Sequence, residues 1–308
     1  MKKIIKFISG YAYLLLAHLL IPLTWTNYTQ QRWIGEQLGL CLLRFDKRSR
    51  NIATINIQKA FPSLSKAEQN QLLRKTFIAS GISAMEMLSM FYPRNQHLSE
   101  RLRSVEGLEA IQQTINAGHS VLLLFPHLTS VYFAGYLLHQ KTGLSFGIQY
   151  NPPRNAVLTR VMQKKIERYA SPVFTRTHLN RIVHFLQKPN ILWYAPDLDL
   201  GRKRSLFIDF FNFPAATSIV THALVEKTRA KPFTIAFHRD AQGYYDIQLH
   251  ALTGFGEGPP EHDLRQLNER IEAIVRPYPE QYLWQYKRYN TRPEGEEKLY
   301  HKRETQFN

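Results

Sequence analysis

The sequence predicts an α/β fold: a mixed, mainly parallel sheet flanked by helices, behind a hydrophobic amino-terminal helix. Three observations lead there. Short, continuous apolar runs recur after residue 120, as in strands buried on both faces. Helical patterns lie between them, the alternation that builds a parallel sheet. At the amino terminus, Phe7–Trp25 runs for 19 residues without a formal charge, directly after Lys2, Lys3 and Lys6.

That first run is borderline for a membrane span, which takes roughly 20 apolar residues. A secretory signal would end in a small-x-small cleavage site, and the chain continues instead as Trp25-Thr-Asn-Tyr28. Pro22 and the aromatic residues Tyr11, Tyr13, Trp25, Tyr28 and Trp33 suit an interfacial or partly inserted helix. A buried core helix is the alternative. The leading lysines favour keeping that end in the cytoplasm. Residues 1–27 are therefore expected to anchor the chain without simply crossing, with an α/β domain over 28–308.

Residues 28–60 and 65–90 read as helices separated by Pro62-Ser-Leu-Ser65, and Ser65-x-x-Glu68 is a capping box. A further amphipathic helix over 108–117 stops at Gly118. Strands are expected at 120–125, 144–150, 190–195 and 232–238. Tyr244–Leu249 follows Gly243 like the second arm of a hairpin. Helices are expected at 129–141, 155–169, 177–187, 217–228 and 263–276.

Composition narrows the function. The 308 residues carry 40 Lys+Arg against 24 Asp+Glu, a formal charge of +16 that calls for an anionic partner: nucleic acid, an anionic membrane surface or an acidic protein. The 18 Phe, 16 Tyr and 4 Trp can fill a large core, which excludes global disorder. A single cysteine, Cys41, excludes an intrachain disulfide framework and a Cys-rich zinc site. No nucleic-acid-binding motif accompanies the charge, and the apolar amino terminus favours the membrane.

Four segments could carry chemistry. His127 directly follows the strand at 120–125, and ligands of open α/β sheets bind beyond the carboxyl ends of strands. It could act as a general base or be merely structural. Trp193-Tyr-Ala-Pro-Asp197-Leu-Asp199-Leu-Gly-Arg202-Lys203-Arg204 also leaves a strand. Its two aspartates could hold a divalent metal or cap a turn. Arg160, Lys164 and Arg168, spaced i, i+4, i+8 with Arg154 and Lys165 nearby, form a basic ridge. That ridge is either a solvated face or a contact for phosphate or an acidic protein. Finally, aromatics and cations interleave from Pro279 through Arg288 to Arg292, which suits nucleic acid or a membrane surface.

Together these segments resemble the late lauroyl/myristoyl acyltransferases of lipid A biosynthesis. The resemblance rests on Arg50–Pro62, on Trp193-Tyr-Ala-Pro-Asp-Leu-Asp-Leu-Gly-Arg202, on Phe210-Phe211 with Pro214-Ala-Ala-Thr217, and on Pro279-Glu-Gln-Tyr-Leu-Trp284 continuing to Thr291-Arg-Pro-Glu-Gly295. It implies a glycerolipid-acyltransferase-like fold and an enzyme at the inner membrane of Gram-negative bacteria, its catalytic domain on the cytoplasmic face. Such an enzyme moves a fatty acyl group from acyl carrier protein to a hydroxyacyl chain of a Kdo-bearing lipid A precursor. Both partners are acidic, as the +16 charge would want. Arg154, Arg160, Lys164, Arg168, Arg202, Lys203, Arg204, Arg288 and Arg292 are the expected substrate-binding cations. No metal or cofactor is required, because a thioester already has a good leaving group.

The chain departs from that family at one position. The family pairs its catalytic His with an Asp or Glu five residues on, and here His127 is followed by Tyr132. Three arrangements fit the departure. Asp197 or Asp199 supplies the carboxylate; a reduced activity persists without one; or the chain is a non-catalytic lipid-binding paralogue. Gln285-Tyr286 also stands where the family carries a hydrophobic residue and a His.

Overall fold

The computed structural model describes residues 20–92, 98–152 and 155–300. Most of the expected amino-terminal anchor lies outside the described residues. Among the described residues, no helix is long and apolar enough to cross a membrane; residues Ile21–Trp25 form a short 3-10 turn.

Three helices come first: α1 (Tyr28–Phe45), α2 (Lys47–Ala60) and α3 (Lys66–Phe91). The single helix expected over 28–60 is broken at Asp46, which leaves helical geometry at φ −84°, ψ 75°. Its carboxylate accepts from the Ser49 N–H at 2.9 Å and so starts α2. Ser65 and Glu68 form the expected capping box of α3. α1 and α3 cross through glycines. A Cβ on Gly81 would stand 2.1 Å from the Gly35 carbonyl oxygen, and one on Gly39 2.3 Å from that of Phe77. Only glycine lets the two backbones come this close.

The sheet alternates with helices, as expected: β1 (Leu102–Glu106), α4 (Leu108–Asn116), β2 (Val121–Leu124), α5 (Val131–Thr142), β3 (Gly147–Gln149), α6 (Ala156–Ile166), β4 (Val173–Phe174), α7 (Leu179–Leu186) and β5 (Ile191–Tyr194). After a β6–β7 hairpin (Ser205–Phe210, Phe213–Ser218) come α8 (Val220–Thr228), β8 (Lys231–Arg239), β9 (Tyr245–Ala251) and α9 (Pro260–Val275). The strand order is β1-β9-β8-β2-β5-β3-β4. Every pair is parallel except β8–β9, the hairpin read at Tyr244–Leu249. β2 sits mid-sheet, and its four side chains are all buried. This is why Val-Leu-Leu-Leu reads as an unbroken apolar run.

Three pieces escaped the sequence reading. β1 is an edge strand of mostly polar residues, and β4 is two residues long. The β6–β7 hairpin turns on Phe211 and Asn212, both at positive φ (54° and 56°). Such a turn usually announces itself by Asn-Gly. Here burial stands in for glycine: the Phe211 ring packs edge-on against Phe61 and Trp284, with centroids 5.1 and 5.7 Å away. Glu272 accepts the Phe211 N–H at 2.6 Å.

Candidate active site

β2 and β5 are adjacent parallel strands, paired from Val121–Ile191 to Leu124–Tyr194. Beyond the last pair they continue as Phe125-Pro126-His127 and Ala195-Pro196-Asp197. His127 and Asp197 thus leave the sheet side by side, three residues past its edge. The His127 Nδ1 and Asp197 Oδ1 form a short hydrogen bond, and Asp197 Oδ2 accepts the His127 backbone N–H at 2.9 Å. The Tyr282 hydroxyl donates to the same Oδ2 at 3.0 Å. Asp197 is buried, while the His127 side chain keeps 22% of its surface exposed.

Burial pushes the Asp197 carboxyl up, but its contacts with His127 and the charge of Arg288 outweigh that, and the carboxyl is held below its ordinary value. A charged carboxylate on Nδ1 fixes the imidazole ring. Nε2 is then the nitrogen left to take a proton, the arrangement of a general base with its orienting acid.

A cavity of about 340 Å³ opens in front of the histidine. Its walls come from α3 (Ser83, Met87), the first turn of α5, β3 (Ile148) and Trp193 of β5, and most of that surface is apolar. The Trp193 ring backs it, stacked on Phe146 at 5.2 Å and tilted on Phe125 at 5.1 Å. A histidine paired with a carboxylate in the wall of a mostly apolar hollow suits acyl chemistry on a lipid.

Comparison with known proteins agrees. Residues 3–291 match the family described as bacterial lipid A biosynthesis acyltransferase. The chain is 30% identical to the lipid A biosynthesis palmitoleoyltransferase of Escherichia coli over 87% of each chain. It is 30% identical to the lauroyltransferase of that organism, over 85% of this chain and 86% of the other. It is 27% identical to a lipid A biosynthesis acyltransferase of Haemophilus influenzae, over 85% and 82%. The chain belongs to this acyltransferase family.

Within this acyltransferase, the other expected site residues divide into two groups. Asp199 does not face His127. Its Oδ1 accepts from the Gly201 N–H at 2.9 Å and the Thr291 hydroxyl at 2.8 Å, and its Oδ2 from the Thr291 N–H at 2.6 Å. It caps a turn and ties the carboxy-terminal segment to the loop after β5. Among the described residues, no cluster of three or more His, Cys, Asp or Glu could hold a metal ion.

The expectation that Arg288 and Arg292 bind substrate needs correction. Arg288 is 1% exposed; its two terminal nitrogens donate to the Ala216 carbonyl (2.9 Å) and the Thr217 hydroxyl (3.1 Å). Its charge reaches Asp197 from behind. Arg292 is also buried, donating to the Pro214 carbonyl and pairing with Glu296. Both hold β7 in place and present no cation to solvent. The exposed cations are Arg160, Lys164, Arg168, Arg202, Lys203 and Arg204. Arg202 also donates to the Arg292 carbonyl at 2.7 Å. Arg160 and Lys164 share a face of α6, whereas Arg168 lies in the turn after the helix ends at Ile166. Arg154 lies outside the described residues.

Tyr132, at the position where the resemblance implies an acid, lines the cavity with His127. The sequence reading missed the support beneath the site. Arg239 and Glu86 form a buried ion pair at 2.6 Å, and Glu86 also accepts from Tyr245 (2.9 Å) and Tyr28 (2.8 Å). Gln281 bonds the backbone of Arg239 in both directions, and its own carbonyl accepts the Thr129 N–H at 2.7 Å. The Leu283 N–H donates to the His127 carbonyl at 2.9 Å. The loop carrying His127 is therefore clamped by residues 281–283, which in turn rest on the ion pair.

Proposed function

We propose that the protein transfers a fatty acyl group from acyl carrier protein to a hydroxyl of a hydroxyacyl chain on a Kdo-bearing lipid A precursor, at the cytoplasmic face of the inner membrane. Residues 1–27 would anchor it there, and the folded part from residue 28 onward would carry the reaction. The observation that carries this reading is the His127–Asp197 pair, with His127 in the wall of a mostly apolar cavity.

His127 Nε2 takes the proton of the acceptor hydroxyl as its oxygen attacks the thioester carbonyl carbon. Asp197 stabilises the imidazolium that forms. When the tetrahedral intermediate collapses, the C–S bond breaks and the proton passes from His127 to the departing thiolate. The acyl chain would lie in the cavity. The exposed cations of α6 and of the loop at 202–204 suit an acidic carrier protein and the phosphates and sugar-acid carboxylates of the acceptor. The reason for a non-catalytic reading was the lack of an acid at position 132, and Asp197 supplies a carboxylate to His127 from another strand.

The test is release of free acyl carrier protein from an acyl-loaded carrier in the presence of a Kdo-bearing precursor in mixed micelles. Product is identified by mass spectrometry, with His127→Ala as the blank. Transfer by the wild type and none by the variant is expected. Transfer by a folded His127→Ala protein at the wild-type rate would falsify the assignment of the base.

A further inference from the structure

Trp25 (53%), Trp33 (61%) and Phe45 (72%) are the most exposed large hydrophobic side chains among the described residues, and all three belong to the 3-10 turn and α1. Trp33, Gln37, Cys41 and Phe45 are exposed and spaced i, i+4, i+8, i+12, so they form one ridge about 18 Å long. Half-buried Ile34 and Leu38 flank it. The helix cannot turn this ridge inward. On its other side Gly35 and Gly39 meet the α3 backbone so closely that a Cβ would have no room. Cations gather at the end of the ridge: Arg44, Lys47 and Arg48 are all exposed, and the Arg44 guanidinium lies 5.8 Å over the Phe45 ring. The acids nearby are already engaged, Glu36 with Arg32 at 3.2 Å and Asp46 with the Ser49 N–H at 2.9 Å. Aromatic rings beside exposed cations are the chemistry of a surface that lies among anionic lipid headgroups.

We propose that the outer ridge of α1 lies flat in the headgroup layer of an anionic bilayer, with the Trp33 and Phe45 rings at the acyl boundary and Arg44, Lys47 and Arg48 on lipid phosphates. This rests on the reading of the protein as an inner-membrane enzyme, and it adds a second contact that is independent of residues 1–27. Connectivity favours it. Trp25, the end of the apolar run, stands three residues before Tyr28, the first residue of α1, a reach of roughly 10 Å. The seat also serves the cavity. α3 turns Gly81 toward α1, while its Ser83 and Met87 line the hollow at His127. A bilayer against α1 therefore lies one helix away from the cavity, which shortens the path of a lipid acceptor out of the membrane.

Cys41, the sole cysteine, sits exposed on the ridge, so the full-length chain takes a single environment-sensitive dye there. The vesicles are phosphatidylethanolamine with phosphatidylglycerol, some of the lipid carrying a nitroxide near the headgroup. The dye should be quenched by the nitroxide lipid and shielded from aqueous iodide. Trp33→Ala with Phe45→Ala should lower the lipid-contacting fraction of the dye about tenfold, while the protein still floats with the vesicles and keeps its melting temperature. Lys47→Glu with Arg48→Glu should abolish the preference of the dye for phosphatidylglycerol over phosphatidylcholine vesicles. A dye open to iodide on protein that floats with the vesicles, or equal quenching in the aromatic variant, overturns the α1 contact and leaves the membrane reading standing. A dye shielded from iodide yet untouched by the nitroxide is covered by protein, either residues 1–19 or a second copy, and overturns the contact too. Protein that stays off the vesicles altogether sinks the membrane reading together with the contact.

Discussion

His127 and Asp197 are 70 residues apart, the same offset that separates every paired residue of β2 and β5. Their hydrogen bond is thus a continuation of the strand register beyond the sheet. Each strand leaves through a proline, Pro126 and Pro196, which fixes φ in the connecting step and keeps the two chains running in parallel. The pair is held in place by the ladder beneath it.

Replacing Asp197 by Asn keeps the shape and removes the charge. The Tyr282 hydroxyl and the His127 N–H still find an oxygen, but the imidazolium loses its counter-charge. Turnover is expected to fall by about 10²–10⁴-fold, the range of general acid–base help, while KM for the acyl carrier stays within about twofold. A kcat within a factor of three of wild type would remove Asp197 from the mechanism.

Acid should reveal the same contact. The Asp197 carboxyl is held below its ordinary value in the folded protein. The unfolded chain therefore binds that proton at higher pH than the folded one. Its contribution to stability is complete above about pH 4, the ordinary carboxylate value, and is lost as pH falls from there through the folded value. Urea midpoints from pH 7 to pH 2.5 should drop more steeply below pH 4 in wild type than in Asp197→Asn. Parallel curves would show that the contact carries no linked proton.

Tyr132→Glu introduces an acid where the resemblance implies one. Because Asp197 already occupies Nδ1 of His127, a second carboxylate in the cavity gives the base nothing it lacks and puts a charge into an apolar wall. Acyl transfer should fall below that of the wild type, measured side by side. A rise above wild type would mean that position 132 serves the imidazole after all.

Arg160→Glu with Lys164→Glu reverses two exposed charges on one face of α6. Exposed charges contribute little to stability, within about 0.5 kcal/mol for a surface substitution. The melting temperature should therefore hold while KM for the acyl carrier protein or the acceptor rises several-fold and becomes less sensitive to salt. An unchanged KM for both would take this face out of substrate binding.

Gly81→Ala tests the crossing of α1 and α3. The new Cβ would meet the Gly35 carbonyl at 2.1 Å and the Gly39 backbone nitrogen at 2.4 Å. Backbone atoms cannot step aside as a flexible side chain does, so the helices must separate at a cost of about 1–3 kcal/mol. A melting temperature equal to wild type would show that the crossing is looser than its geometry.

The sequence by itself determined the sheet, most of its flanking helices and the family. Runs such as Val-Leu-Leu-Leu and Ile-Leu-Trp-Tyr are apolar because their strands are covered on both faces, and that pattern is local. His127 was legible by the same logic, as a polar residue immediately past a buried strand. So, in hindsight, was its partner, since Phe-Pro-His and Ala-Pro-Asp leave their strands identically. What no local pattern could supply was the pairing of β2 with β5, because a register between strands 70 residues apart is set by packing. Only the tertiary structure therefore gave His127 to Asp197 and sent Asp199 to a turn. It also buried Arg288 and Arg292, which read on the chain as surface cations. Charge in a sequence says nothing of which face a residue meets; Arg288 is inside because the carbonyl of Ala216 and the hydroxyl of Thr217 satisfy it there.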